Sequence, residues 1–172
     1  MPFKFLAVVC MLTIIFSCKQ NKEESLTENI DAKASQDITE KDLSKLNFTE
    51  FVLDTKTENI VKDWQEYYQL QDAVINAKKG DLSFFKDNKE GIKTLLKDLV
   101  LNLPDSVNSA ATLARILALE TKLYKLESLS NLPTTSKQEL SNTIKEFLES
   151  FSNFNFQMNK KTEKDSRIIE KP

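Results

Sequence analysis

Residues 136–159 read SKQELSNTIKEFLESFSNFNFQMN, and a single register runs through them. Leu140, Ile144, Phe147, Phe151, Phe154 and Met158 recur at alternating spacings of four and three. Residues three and four apart share a face of an α-helix, so these six form one apolar stripe, a heptad seam built to pack on other helices. The stripe predicts a helix over about residues 135–158. Its start is marked too. Ser136 and Glu139 have capping-box spacing, in which the hydroxyl takes a backbone N–H of the first turn and the carboxylate takes that of the cap.

Moving upstream, Asn131-Leu132-Pro133 echoes Asn102-Leu103-Pro104. In each, Asn can take the left-handed position after a helix, Leu can fold back onto the last turn, and Pro prevents continuation. Fresh starts follow at Asp105-Ser106 and at Thr134-Thr135-Ser136. Three matching residues are too few for a repeat protein, so these read as corners between antiparallel helices. Before the first corner, Phe85, Ile92, Leu95, Leu96, Leu99 and Leu103 predict a helix over about 83–102, capped by Asp81 or Ser83. Gly91 stands in its middle, a weakness of about 1 kcal/mol. Earlier still, Ile60, Trp64, Tyr67, Leu70, Val74 and Ala77 predict a helix over about 56–78. It ends at Lys78-Lys79-Gly80, cations on the negative end of the dipole and then a glycine able to turn left-handed. Four helices, short corners and narrow stripes imply an all-α fold: an up-down-up-down antiparallel four-helix bundle over residues 48–160, with a polar tail at 161–172. Ile168 and Ile169 in that tail have no assigned task.

The third helix departs from the pattern. Between Val107 and Leu119 most residues are apolar and Arg115 is the only charge. Leu113, Ile116, Leu117 and Leu119 span most of the circumference, so they cannot all enter one core. Either this helix is central and touched from two sides, or an apolar strip including Leu113, Ile116 and Leu119 is a partner face for another protein or a second copy.

Composition excludes more chemistry than it suggests. The chain has no histidine, and its only glycines are Gly80 and Gly91. No Ser-His-Asp or Cys-His site, haem ligand set or Glu-x-x-His metal pair can be built, nor a phosphate-cradling loop. Neither a metal nor a cofactor is expected. The 24 basic and 26 acidic side chains nearly balance, and no basic cluster invites nucleic acid. Trp64, Tyr67 and Tyr68 could stack on a ligand, with Gln71 nearby, but aromatic residues at helical spacing are core residues first. Asp63, Glu66, Asp72 and Asp81 scatter over different faces and form no catalytic pair. The expectation is a protein without enzymatic activity.

The chain ahead of the bundle reads as an address. Residues 18–47 are polar, with isolated Leu26, Ile30, Ile38 and Leu43, and are expected to be a tether with a weak helix near 37–46. Residues 1–17 have the parts of a secretory signal: Lys4, then an apolar run from Phe5 to Phe16. As a helix that run is roughly 18 Å long, against ~30 Å of bilayer hydrocarbon, so it is too short for a permanent span. Ile15-Phe16-Ser17-Cys18 resembles the lipobox of bacterial lipoproteins. The resemblance implies cleavage between Ser17 and Cys18, a diacylglycerol on the Cys18 thiol and an acylated amino group. Two or three such chains hold a protein at a membrane where one would not. Cys10 leaves with the signal, and Cys18 becomes the mature chain's only thiol.

Lys22-Glu23-Glu24, close behind Cys18, resembles the export signals of surface lipoproteins of Bacteroidota. Leu119-Glu120-Thr121-Lys122-Leu123-Tyr124-Lys125-Leu126, Phe151-Ser152-Asn153-Phe154-Asn155 and Met158-Asn159-Lys160-Lys161 are similar to stretches of small helical lipoproteins of flavobacteria. That likeness covers about residues 60–171 and implies an outer membrane, on its periplasmic face or at the cell surface, but no activity. The expected function is a lipid-anchored envelope protein acting as a non-catalytic binding or scaffold module, through a protein partner or a second copy. The alternative is an immunity-type or inhibitor lipoprotein that neutralises a toxin or envelope hydrolase.

Overall fold

A computed structural model describes residues 37–167. The signal at 1–17, the Ser17–Cys18 junction, the Lys22-Glu23-Glu24 stretch and Ile168-Ile169 lie outside the described residues. Among those described, all regular structure is helical: α1 (Glu40–Leu43), α2 (Thr55–Val61), α3 (Gln65–Lys78), a 3₁₀ turn (Ser83–Phe85), α4 (Lys89–Leu101), α5 (Ala110–Ser130) and α6 (Lys137–Asp165). The most extensive packing is between α5 and α6. Beyond it, α4 packs on α5, α3 on α4, and α1, α2 and α3 on α6.

The seam on α6 is realised as read. Leu140, Ile144, Phe147, Phe151, Phe154 and Met158 are all buried, and Ser136 Oγ accepts the Glu139 N–H at 3.2 Å. Gly80 also does what its position requires. At φ 85° it closes α3, with Asp81 N–H bonded to Asn76 O and its own N–H to Ala77 O. A second reason for glycine comes from the fold: a Cβ here would collide with the Ile38 carbonyl oxygen.

Several expectations are corrected. The helix expected over 56–78 is broken at Trp64, whose ψ of 89° leaves the helical region. The α2 segment buries Thr57 and Val61, while α3 buries Tyr67, Leu70, Val74 and Ala77. On one unbroken helix of ~3.6 residues per turn those faces would stand well over a quarter-turn apart. The break lets both be buried. The helix expected over 83–102 is likewise a 3₁₀ turn, a left-handed Asp87 (φ 51°) and then α4, so Gly91 falls in a first turn rather than mid-helix. The start read at Asp105-Ser106 moves to Ser109, whose Oγ accepts the Thr112 N–H at 3.1 Å.

Neither corner asparagine turns left-handed; Asn102 and Asn131 have φ of −98° and −94°. Their amides act through space instead. Asn102 Nδ2 donates to Glu66 Oε1 at 2.8 Å. Asn131 Nδ2 donates to the Phe85 and Glu127 carbonyls, and its Oδ1 accepts the Asp87 N–H at 3.0 Å. Leu103 folds in at the first corner, whereas Leu132 stays exposed at the second.

Both domain boundaries shift. The short helix read near 37–46 is α1, but residues 37–47, otherwise expected as tether, are packed: Ile38 and Leu43 are buried, Thr39 and Asp42 form a capping box, and Asp42 pairs with Lys137 at 2.8 Å. Lys137 and the Thr39 hydroxyl and N–H hold the Asp42 carboxyl well below the usual carboxylate range. At the other end α6 runs past 161, and Thr162 is buried with its hydroxyl 2.6 Å from that of Thr57.

Candidate functional site

The face of α5 turned away from the core is the most unusual surface described. Thr112, Ile116, Leu119, Leu123, Leu126 and Ser130 lie on its buried side. Leu113 and Leu117, each ~100° further round the helix, are 39% and 64% exposed. Ala110, Ala111, Ala114 and Ala118 are exposed as well, and Arg115 is the only charge among them. The partner face expected at Leu113, Ile116 and Leu119 is therefore divided. Ile116 (2%) and Leu119 (0%) belong to the core, and Leu113 keeps its exposure. The third helix packs one side on α4 and α6 and leaves an apolar strip exposed on the other.

Val100 and Leu101 are likewise exposed, on the last turn of α4. The α4 helix packs on α5, and residues 102–109 join them, so these side chains lie where the two helices connect. The sequence carried a signal for Val100 and Leu101. They sit off the Ile92–Leu95–Leu96–Leu99–Leu103 stripe, and an apolar residue off its stripe faces solvent or a partner.

On the α6 side, the strip borders a groove of about 230 Å³ lined by Arg115, Ala118, Lys122, Glu146, Glu149, Ser150 and Asn153. Glu146 accepts from Lys125 and Lys122 at 3.0 Å, and these two ammonium groups hold its carboxyl below the usual range. Arg115 makes no ion pair with a described residue, which leaves its guanidinium able to meet a carboxylate from elsewhere.

The other candidates resolve into packing. Trp64 is 3% exposed; it stacks on Tyr67 at 5.8 Å and meets Phe154 edge-on at 6.1 Å. Tyr67 is buried and stacks on Phe151, and its hydroxyl donates to Asn155 Oδ1 at 3.1 Å. Burial pushes the Tyr67 phenol well above its ordinary pKa. The aromatic cluster is thus core, with Tyr68 and Gln71 half-buried at its margin. Two open hollows between α3 and α4, of about 420 and 300 Å³, share Glu66. Asp63, Glu90 and Asp98 line them as well; Glu90 pairs with Lys93 at 3.6 Å, and Glu66 and Glu90 occupy first helical turns, where a carboxylate complements the dipole. Trp64 borders the smaller hollow, and its Nε1–H is buried without a partner. Among the described residues no three Cys, Asp or Glu side chains are placed to hold a metal ion. No protein-family model, curated protein or solved structure matches this chain.

Proposed function

We propose that this protein is a bacterial lipoprotein held in the outer membrane by acyl chains on Cys18, and that its helical domain works without catalysis, by protein contact through the outer face of α5. In this reading α3 to α6 form the up-down-up-down bundle that carries the face. One observation bears the most weight: Leu113 and Leu117 stand exposed among four alanines on a chain whose charged residues make up 29% of its length. Scattered exposed leucines are ordinary, but a contiguous apolar strip on a helix is how a surface meets a partner.

The deciding experiment places a photo-crosslinking residue at Leu117 in cells and identifies what it captures. A resident envelope protein supports the scaffold reading, a secreted toxin or hydrolase the inhibitor reading, and a second copy self-association. Capture no different from that of a probe at exposed Lys97 on α4 overturns the assignment of the face. Attachment is tested separately. Cys18→Ala should move the protein out of the membrane fraction and abolish incorporation of labelled fatty acid; a variant that still fractionates with membrane removes the lipoprotein reading.

A further inference from the structure

The stretch 49–54 lies against α6 without being part of a helix, and α6 side chains bond five of its backbone groups. Ser152 Oγ accepts the Phe51 N–H at 2.7 Å and donates to Thr49 O at 2.9 Å. Asn155 Nδ2 donates to Phe51 O at 3.1 Å. Asn159 Nδ2 donates to Val52 O at 2.8 Å, and its Oδ1 accepts the Asp54 N–H at 3.0 Å. Ser152, Asn155, Asn159 and Thr162 form a second stripe on α6, one residue out of step with the apolar seam and polar throughout.

We infer that residues 37–53 are a releasable strap, which opens as a unit about a hinge at Asp54 while α3 to α6 stay folded. Three observations support this. The hydrogen-bonding groups that residues 49–53 would uncover on α6 belong to Ser152, Asn155 and Asn159, so water can replace each bond that breaks; exposing the apolar α5–α6 seam has no such compensation. The strap contains only the four-residue α1, too short to hold itself together, so its parts are ordered by the domain or not at all. Its remaining attachments are Ile38 and Leu43 buried in the core, Leu46, Phe48 and Leu53 half-buried against it, Asp42 paired with Lys137, Glu50 paired with Lys78, and the Phe51 ring tilted against Phe156 at 4.6 Å; none of these strap residues is part of a helix longer than four residues. Val52, beside the hinge, is exposed.

The consequence for an anchored protein is reach. Every connection from the N-terminal side enters the domain through this strap. Its release would lengthen the chain between Cys18 and the domain by up to roughly 55–60 Å at ~3.3–3.6 Å per residue. That consequence rests on the anchoring proposed above; the opening itself does not, because it is measured within the domain whether or not Cys18 is acylated.

Hydrogen–deuterium exchange of the full chain tests it. The Leu43 and Phe51 amides should exchange at matching opening equilibria, at least ~100-fold more readily than Leu123 and Ile144 in the seam. Combining S152A with N159A should speed the Leu43 and Phe51 amides by about tenfold and leave the seam amides unchanged. Exchange of the strap at the rate of the seam overturns the inference. So does widely different opening at Leu43 and Phe51, or acceleration of strap and seam together in the double variant.

Discussion

Gly80 shows how much one residue can carry. Its φ of 85° costs a side-chain-bearing residue about 1–2 kcal/mol, and the neighbouring Ile38 carbonyl occupies the space a Cβ would need. Gly80→Ala should therefore lower unfolding stability by at least about 1–2 kcal/mol in a denaturant titration, more than the helix-propensity gain can offset. The first cost was legible from Lys78-Lys79-Gly80. The second was not, because Ile38 stands 42 positions earlier, in a polar stretch whose short helix gives no sign of where it packs. Leu117 is the opposite case, a large apolar residue whose removal should cost the fold little. Leu117→Glu should stay within about 0.5 kcal/mol of the parent in the same titration while losing the partner that a probe at neighbouring Leu113 captures. A variant that unfolds would show that Leu117 packs more than its exposure indicates.

At the scale of elements, α6 is read twice by its neighbours. Its apolar seam organises the core, and the polar stripe beside it seats the chain at 49–54. The seam was legible because apolar residues at alternating spacings of three and four have no other ready explanation. The polar stripe was not, because Ser, Asn and Thr on a helix default to water and nothing in their spacing marks a backbone arriving from a hundred positions away. The seam and the cap of α6 should differ in weight. Phe154→Ala opens a void in the centre and should cost about 3–5 kcal/mol, whereas Ser136→Ala removes one cap and should cost about 1 kcal/mol. Thermal unfolding of the two variants checks the order, and equal costs would mean that the seam is looser than its burial implies. The break at Trp64 belongs to this scale too. Ile60, Trp64 and Tyr67 share a helical period, and only the demand to bury Thr57 and Val61 separates α2 from α3.

For the whole molecule, the charges set a pH response whose sign can be worked out. Glu146 is depressed by Lys125 and Lys122, and Glu163, held by Lys160 and Arg167, is lowered to about 2. A carboxyl whose folded pKa lies below its unfolded value contributes stability above the unfolded value, 4.5 for Glu, and loses it as pH falls through the folded one. Stability should thus decline as pH drops from about 4.5 toward 2, and more gently at high salt, since these groups are largely solvent-facing. With no histidine in the chain, the unfolding midpoint should be flat between about pH 5.5 and 8. Melting curves from about pH 2 to 8 check both limbs; a transition near neutrality would point to a titrating group outside the described domain.

The sequence by itself determined that the described domain is helical, where its seam lies on α6, and that Gly80 ends a helix. These are local properties: period, capping and backbone freedom are written into neighbouring residues. It also carried the case for Cys18, which rests on a short pattern and needs no fold. Only the tertiary structure decided that α5 keeps Ile116 and Leu119 and leaves Leu113 and Leu117 outside. Only it showed that Asn102 and Asn131 work through their side chains, and that residues 37–54 belong to the domain. Which side of an apolar helix faces water depends on where its neighbours stand, and a hydrogen bond from Asn159 to Val52 depends on both ends arriving at one place. That information exists only once the chain has closed on itself.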